Sequence, residues 1–212
     1  MTTGSNYDGY DLEPAYNLAR EQLSGIEDIE QLCLKSGARY LVTDSQEEII
    51  IEYLSQSYRV TMPNIEISPA DSQEDVSIRD KVVILHYLLS AKGTPIADRL
   101  IAFQDLLGGG NYFRTFSKRS IEPLVEHFGG QPHLLIEAAR KMGGQRATNG
   151  DVSVAIDAFS RVPITITLWR GDEEFPPQGS MLFDATISDY LSTYDITVLC
   201  ESIAWKLVTL SR

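Results

Sequence analysis

The sequence predicts an α+β fold, a single domain over residues 1–212 in which antiparallel sheet segments pack with a buried central helix and a C-terminal helix. Three observations predict it. The hydrophobic period switches along the chain between the helical 3.6 and the strand period of 2, in the order α, β, α, β, α. The run Val82-Val-Ile-Leu-His-Tyr-Leu-Leu89 is apolar nearly all round a helix, which suits a central position. Residues 151–159 and 163–169 alternate cleanly, and the short join Ser160-Arg-Val-Pro163 favours an antiparallel hairpin.

Each element follows from its residues. Residues 1–9 are expected to be flexible. Asp11 can cap a helix with Leu12, Ala15, Tyr16, Ala19 and Leu23 on its apolar face. A shorter helix runs from about Glu27 to Lys35 and stops at Gly37. Strands are expected at Arg39–Thr43, Glu48–Leu54 and Tyr58–Met62, with Pro63 and the polar stretch 68–75 as a closing loop. Ser77 and Asp80 form a capping-box variant before the helix Ile78–Ser90, whose Val82, Leu85 and Leu89 should be almost fully buried. Arg99–Leu107 is a strand or irregular segment. Asn111 can cap a helix carrying Tyr112, Phe113, Phe116, Ile121, Leu124, Val125 and Phe128, ended by Gly129-Gly130. A further helix spans about Pro132–Met142. After the hairpin, Asp184 and Asp195 sit at expected N-caps of helices Ala185–Thr193 and Ile196 to about Leu210.

Composition removes several functions. Lys and Arg total 18 against 30 Asp and Glu, a net charge of −12, so the chain lacks the basic footprint of a nucleic-acid-coating surface. No apolar run approaches the length of a transmembrane helix. The opening MTTGSNYDGYDLEP has neither a basic nor an apolar leader region, so a cytoplasmic location is expected. Two cysteines, Cys33 and Cys200, are too few for a disulfide scaffold or a four-thiolate cluster, and both fall on apolar helical faces. Gly-x-Ser-x-Gly, His-Glu-x-x-His and Cys-x-x-Cys are all absent, which leaves nucleophilic serine or cysteine catalysis without support.

Three segments could carry chemistry. Trp169-Arg-Gly-Asp-Glu-Glu-Phe-Pro-Pro177 leaves a strand through three adjacent carboxylates, flanked by two aromatic rings. Asp172, Glu173 and Glu174 suit a hard cation or an acid–base pair, although adjacent acids lack the alternating spacing of a calcium loop, and a solvated acidic turn is the plainer alternative. A working cation site requires Asp172 or Glu174 to meet a polar group from elsewhere, such as His86 or Arg114. His86, inside an apolar run, needs a partner for its ring nitrogens: a metal, a ligand, a backbone carbonyl or a carboxylate. His127 and His133 flank a glycine turn and are expected at the surface. Gly108-Gly-Gly-Asn111 opens a helix followed by Arg114, Lys118 and Arg119, and residues 113–147 carry a local charge of +3 (six basic, three acidic). The string is neither a phosphate-binding loop nor a dinucleotide fingerprint, so tight-turn glycines are its simpler meaning.

The strings LHYLL (85–89), FQDLLGGGNYFRTF (103–116), SRVPITITLWRGDEEFPP (160–177), LFD (182–184) and YDITVL (194–199) resemble a family of anaerobic bacteria and archaea described as domain of unknown function 3786. The resemblance covers roughly residues 10–210. Some members of that family are fused to a four-cysteine iron–sulfur module similar to one in corrinoid iron–sulfur proteins. This chain lacks those cysteines and also lacks the Asp-x-His-x-x-Gly string of B12-binding domains. The resemblance implies an accessory protein of anaerobic cofactor metabolism, binding a corrinoid or other tetrapyrrole or partnering corrinoid or iron–sulfur enzymes. The expected slot would be lined by Tyr112, Phe113, Trp169 and Phe175, with Arg114 for acidic groups and His86 as axial ligand. Two alternatives stand beside it: a metal-assisted hydrolase or transferase using residues 172–174, and an interaction module docking through that acidic segment.

Overall fold

Two antiparallel sheets and their helices share one hydrophobic core, which runs from Ala19 to Val208. The computed structural model describes residues 11–43, 46–72 and 74–211; the segment 1–9, expected to be flexible, lies outside them. Helix α1 (Glu13–Ser24) takes Leu12 at its N-cap, and Asp11 only accepts the Glu13 amide at 3.2 Å. Asp28 caps α2 (Ile29–Ser36) by accepting the Gln31 amide, and Gly37 ends it in a left-handed conformation.

The first sheet is a meander of β1 (Arg39–Val42), β2 (Glu47–Tyr53), β3 (Gln56–Met62) and β4 (Glu66–Pro69). Strand β4 replaces part of the expected loop: Val60 pairs with Ile67 and Tyr58 with Pro69, which buries Ile67. The tight β2–β3 turn places Leu54 and Ser55 at φ of 51° and 61°, where side chains are strained. Its strain is offset by docking. The Leu54 amide donates to the Ala158 carbonyl at 3.0 Å, and Ser55 Oγ donates to the Met142 carbonyl at 2.9 Å.

Helix α3 (Ile78–Ser90) has the predicted span and the predicted Ser77 cap. Val82 and Leu85 are fully buried, but Leu89 is only half-buried beside His86. The helix is therefore covered on most faces and open along one stripe.

The second sheet has the order β5 (Leu100–Ala102), β9 (Gln178–Asp184), β8 (Val162–Trp169), β7 (Val152–Phe159), β6 (Gln145–Arg146). The hairpin β7–β8 is as predicted, whereas β9 and β6 arise by pairing onto its two sides. The alternation in β7 and β8 does not divide core from water. Ser153, Thr165 and Thr167 are buried opposite the Val154 and Ile166 face, so the sheet is covered on both sides. Ser153 Oγ is satisfied by the Ile166 carbonyl and by Thr167 Oγ1.

Helix α4 (Gly109–Phe116) begins before Asn111, with Gly108 at its N-cap. Gly109 approaches so closely that a Cβ there would lie 1.9 Å from the Phe103 carbonyl oxygen. A π turn (Ser117–Ile121) joins α4 to α5 (Glu122–Phe128), and α6 (His133–Lys141) follows. In place of the helix expected over 185–193 there is one 3-10 turn, Ile187–Asp189, before α7 begins at Thr193. Asp184 instead accepts from the amides of Ala97, Arg99 and Thr186 and from the Thr186 hydroxyl. Helix α7 (Thr193–Leu210) is capped by Ser192, and Asp195 is the third residue of a reciprocal capping box. Among the described residues no helix is long and apolar enough to cross a membrane.

Candidate functional site

Helices α3 and α7 pack side by side in opposite directions, joined by two ion pairs and one histidine–carboxylate hydrogen bond. Arg79 meets Glu201 at 2.8 Å, Lys206 meets Asp80 at 3.1 Å, and His86 Nδ1 meets Asp195 Oδ1 at 2.6 Å. Sequence spacing could not reveal these partners, because each pair lies more than a hundred residues apart.

The His86 contact has a defined chemistry. An ionised carboxylate only accepts, so the proton of this contact sits on Nδ1 and the lone pair of a neutral ring sits on Nε2. Asp195 Oδ2 is itself held by Ser192, from Oγ at 2.6 Å and from the amide at 3.2 Å. Asp195 also lies in the first turn of α7, where the helix dipole favours a negative charge. The imidazole is thus fixed in orientation and tautomer by a carboxylate that is fixed in turn. Its side chain is 27% exposed, and Nε2 makes no hydrogen bond to the described residues. The partner foreseen as one of several is the carboxylate.

The acidic loop is organised differently. Asp172 Oδ1 accepts the amides of Phe175 at 2.7 Å and Glu174 at 2.8 Å, and these bonds hold its carboxyl below the usual carboxylate range. The Asp172 amide returns a bond to the Phe175 carbonyl. Asp172 therefore folds the loop on itself, while Glu173 and Glu174 are exposed. The loop and the turn 129–133 enclose an open cleft of about 640 Å³, to which His133 contributes but His86 and Arg114 do not. Among the described residues no three His, Cys, Asp or Glu side chains converge in a way that could hold a metal ion. The expected meeting of Asp172 or Glu174 with His86 or Arg114 is absent, because the β8–β9 connection carries the loop to α5 and α6 instead.

The remaining candidates are also separated. Phe113 and Tyr112 are half-buried against the core, with the Phe113 and Phe116 rings 6.3 Å apart. Trp169 sits over Gly150, where a Cβ would come within 3.2 Å of its indole, and Phe175 is 61% exposed. Arg114, Lys118 and Arg119 do share one place: a groove of about 730 Å³ with Glu201 and Trp205 of α7. The slot expected from residues 86, 112–119 and 169–175 is thus spread over three surfaces. His127 is drawn inward, with Nε2 2.6 Å from Ser211 Oγ, and His133 stays exposed.

A family model described as Domain of unknown function (DUF3786) matches residues 28–205, a stretch holding His86, Asp195 and the acidic loop. No curated protein and no solved structure matches.

Proposed function

The chain belongs to the DUF3786 family, and from that premise we propose an accessory small-molecule-binding protein of anaerobic cofactor metabolism. Its ligand is a corrinoid or other tetrapyrrole, held through His86. The observation that carries this reading is the 2.6 Å contact between His86 Nδ1 and Asp195. A histidine that donates one ring N–H to a carboxylate presents the other nitrogen as an oriented, more basic metal ligand. His86 offers such a group one nitrogen ligand at a partly open surface, backed by Asp195 and Ser192. The start of α4 lies beside this pair, since Thr193 Oγ1 donates to the Leu107 carbonyl at 2.9 Å. Trp169 and Phe175 fall outside the reading. When bound, the metal centre would supply its coordination and redox chemistry, with His86 as the residue that would hold it; the chain's own part is to aim Nε2 and hold the ring proton on Nδ1.

Titration of the full chain with cobinamide, cobalamin and haem, followed by visible absorbance, tests this. Saturable spectral change is expected with at least one. His86→Ala should abolish the spectral change, and Asp195→Asn should weaken binding by roughly 10–100-fold. Absence of both spectral change and calorimetric heat with all three overturns the proposal. The interaction-module reading is favoured by one observation, the exposure of residues 172–174 beside Phe175, and it gains if those titrations are silent.

A further inference from the structure

The groove between α7 and the α4–α5 rod carries charges that the fold itself leaves unused. Arg114, Lys118, Glu122 and Glu126 line one wall at four-residue intervals, and Glu201 and Trp205, one turn apart on α7, line the other. Residues four apart on an uninterrupted α-helix drift sideways by about 40° each time. The wider π turn at Ser117–Ile121 offsets that drift, so the row stays aligned across the change from α4 to α5. Such π turns are frequent at functional sites.

Pairing within the groove is selective. Glu201 is buried and engaged by Arg79 at 2.8 Å and by Arg119 at 3.9 Å. Arg114 and Lys118 are exposed and make no ion pair or hydrogen bond with the described residues. Glu122 and Glu126 likewise have no partner among the described residues, so Lys118 does not close onto Glu122 despite the favourable spacing. The result is a dipolar groove: two free cations at the α4 end, two free carboxylates at the α5 end. Trp205 is 38% exposed on the facing helix. In a chain of net charge −12 the long-range field repels anions, so a cationic pair kept clear of its acidic neighbours acts only at short range.

We infer that this groove binds a nucleoside phosphate, with the phosphate on Arg114 and Lys118 and the base against Trp205. Two adjacent cations match the charge of a phosphate monoester, and a guanidinium takes its oxygens in pairs. An indole face offers stacking to any flat base. The carboxylates at the far end accept N–H groups from an amino-bearing base and repel a second phosphate there, which fixes one orientation. A bare phosphate would reach neither Trp205 nor the acidic end. The site is separate from the His86 pair, and this inference does not rest on the tetrapyrrole reading.

The test uses the full chain in a Trp169→Phe background, which leaves Trp205 as its sole tryptophan. AMP and ADP should quench Trp205 emission saturably, with matching calorimetric heat that weakens as salt is raised. Adenosine and inorganic phosphate should each bind at least tenfold more weakly than AMP. Arg114→Gln with Lys118→Gln should weaken AMP at least thirtyfold, and Trp205→Phe, read by calorimetry, should keep most of the binding that Trp205→Ala loses. Cobinamide titration should be unchanged in the Arg114/Lys118 variant, which separates this site from the one at His86. The inference is overturned if AMP and ADP give neither quench nor heat at millimolar concentration, if the double variant binds AMP normally, or if phosphate alone binds as tightly as AMP.

Discussion

The rings of Tyr87 and Phe159 lie face to face, 3.8 Å between centroids and 3° from parallel, and so join the central helix α3 to strand β7. Tyr53 of the first sheet tilts onto the same Phe159 ring at 4.9 Å, and Tyr190 stacks behind Tyr87 at 5.7 Å. Four aromatic rings, from α3, β7, β2 and the turn after Asp189, thus meet in the core. The Tyr87 hydroxyl is not stranded there, because it donates to the Ser36 carbonyl at 2.7 Å. Burial pushes its pKa up to about 12.

This packing sets the cost of opening the core. Leu85, fully buried on α3, should destabilise the protein by about 2–5 kcal/mol when replaced by Ala, through lost transfer energy and a residual cavity. The midpoint of urea unfolding measures it. A loss below about 1 kcal/mol would contradict the assigned central position.

Asp184 predicts an acid sensitivity. Burial alone would raise its carboxyl, but the Thr186 hydroxyl and the amides of Ala97, Thr186 and Arg99 outweigh it and hold the pKa below the ordinary value. A carboxyl depressed in the folded state contributes stability fully above the unfolded value, near 4, and loses it as pH falls through the folded value. Urea midpoints of the wild type should therefore drop more steeply below about pH 4 than those of Asp184→Asn. At pH 7, Asp184→Ala should cost about 1–3 kcal/mol, because four donors lose their acceptor.

Gly143 and Ser55 form a testable couple. Gly143 has φ of +70°, and a Cβ on it would lie 1.9 Å from Ser55 Oγ. Gly143→Ala should cost more than about 1 kcal/mol. Adding Ser55→Gly removes the clash and relaxes a strained turn, so the double variant should be more stable than the sum of the single effects predicts. Thermal melts of the four proteins complete the cycle.

The two thiols should be silent in the folded protein. Burial pushes Cys33 up to about 11 and Cys200 higher still, so little thiolate exists at pH 8. Mass spectrometry after iodoacetamide treatment should find neither alkylated natively and both alkylated in urea. Modification of Cys200 without unfolding would contradict its complete burial.

Where local rules suffice, the sequence was legible. Ser77 and Asp80 marked the start of α3 to the residue, and alternation with a short polar join marked the β7–β8 hairpin. The failures have one physical origin, in partners distant along the chain. Strand β9 contains Gly179 and Ser180 and shows weak alternation; pairing with β8 makes it a strand. Asp184 has the residue type of a helix cap, but the amides it serves include those of Ala97 and Arg99. Asp195 belongs to a cap whose first residue is Ser192, and its outer oxygen serves His86. The candidate site divided for the same reason. Which loops meet depends on the strand order β5-β9-β8-β7-β6, and no spacing encodes that order.

The docked β2–β3 turn has a consequence for how the chain is born. Its anchors, Met142 and Ala158, and the Lys206 that grips Asp80, leave the ribosome long after the turn itself. About 150 residues separate Tyr53 from Lys206, which at roughly 5–20 residues per second is on the order of ten seconds of synthesis. Through that interval the nascent first sheet carries Tyr53 and Leu54 uncovered and presents Leu41 and Val42 of β1 along an open edge. Vectorial synthesis therefore makes this half of the protein the one that a trigger-type chaperone would have to shield, and the one whose aggregation would set the yield.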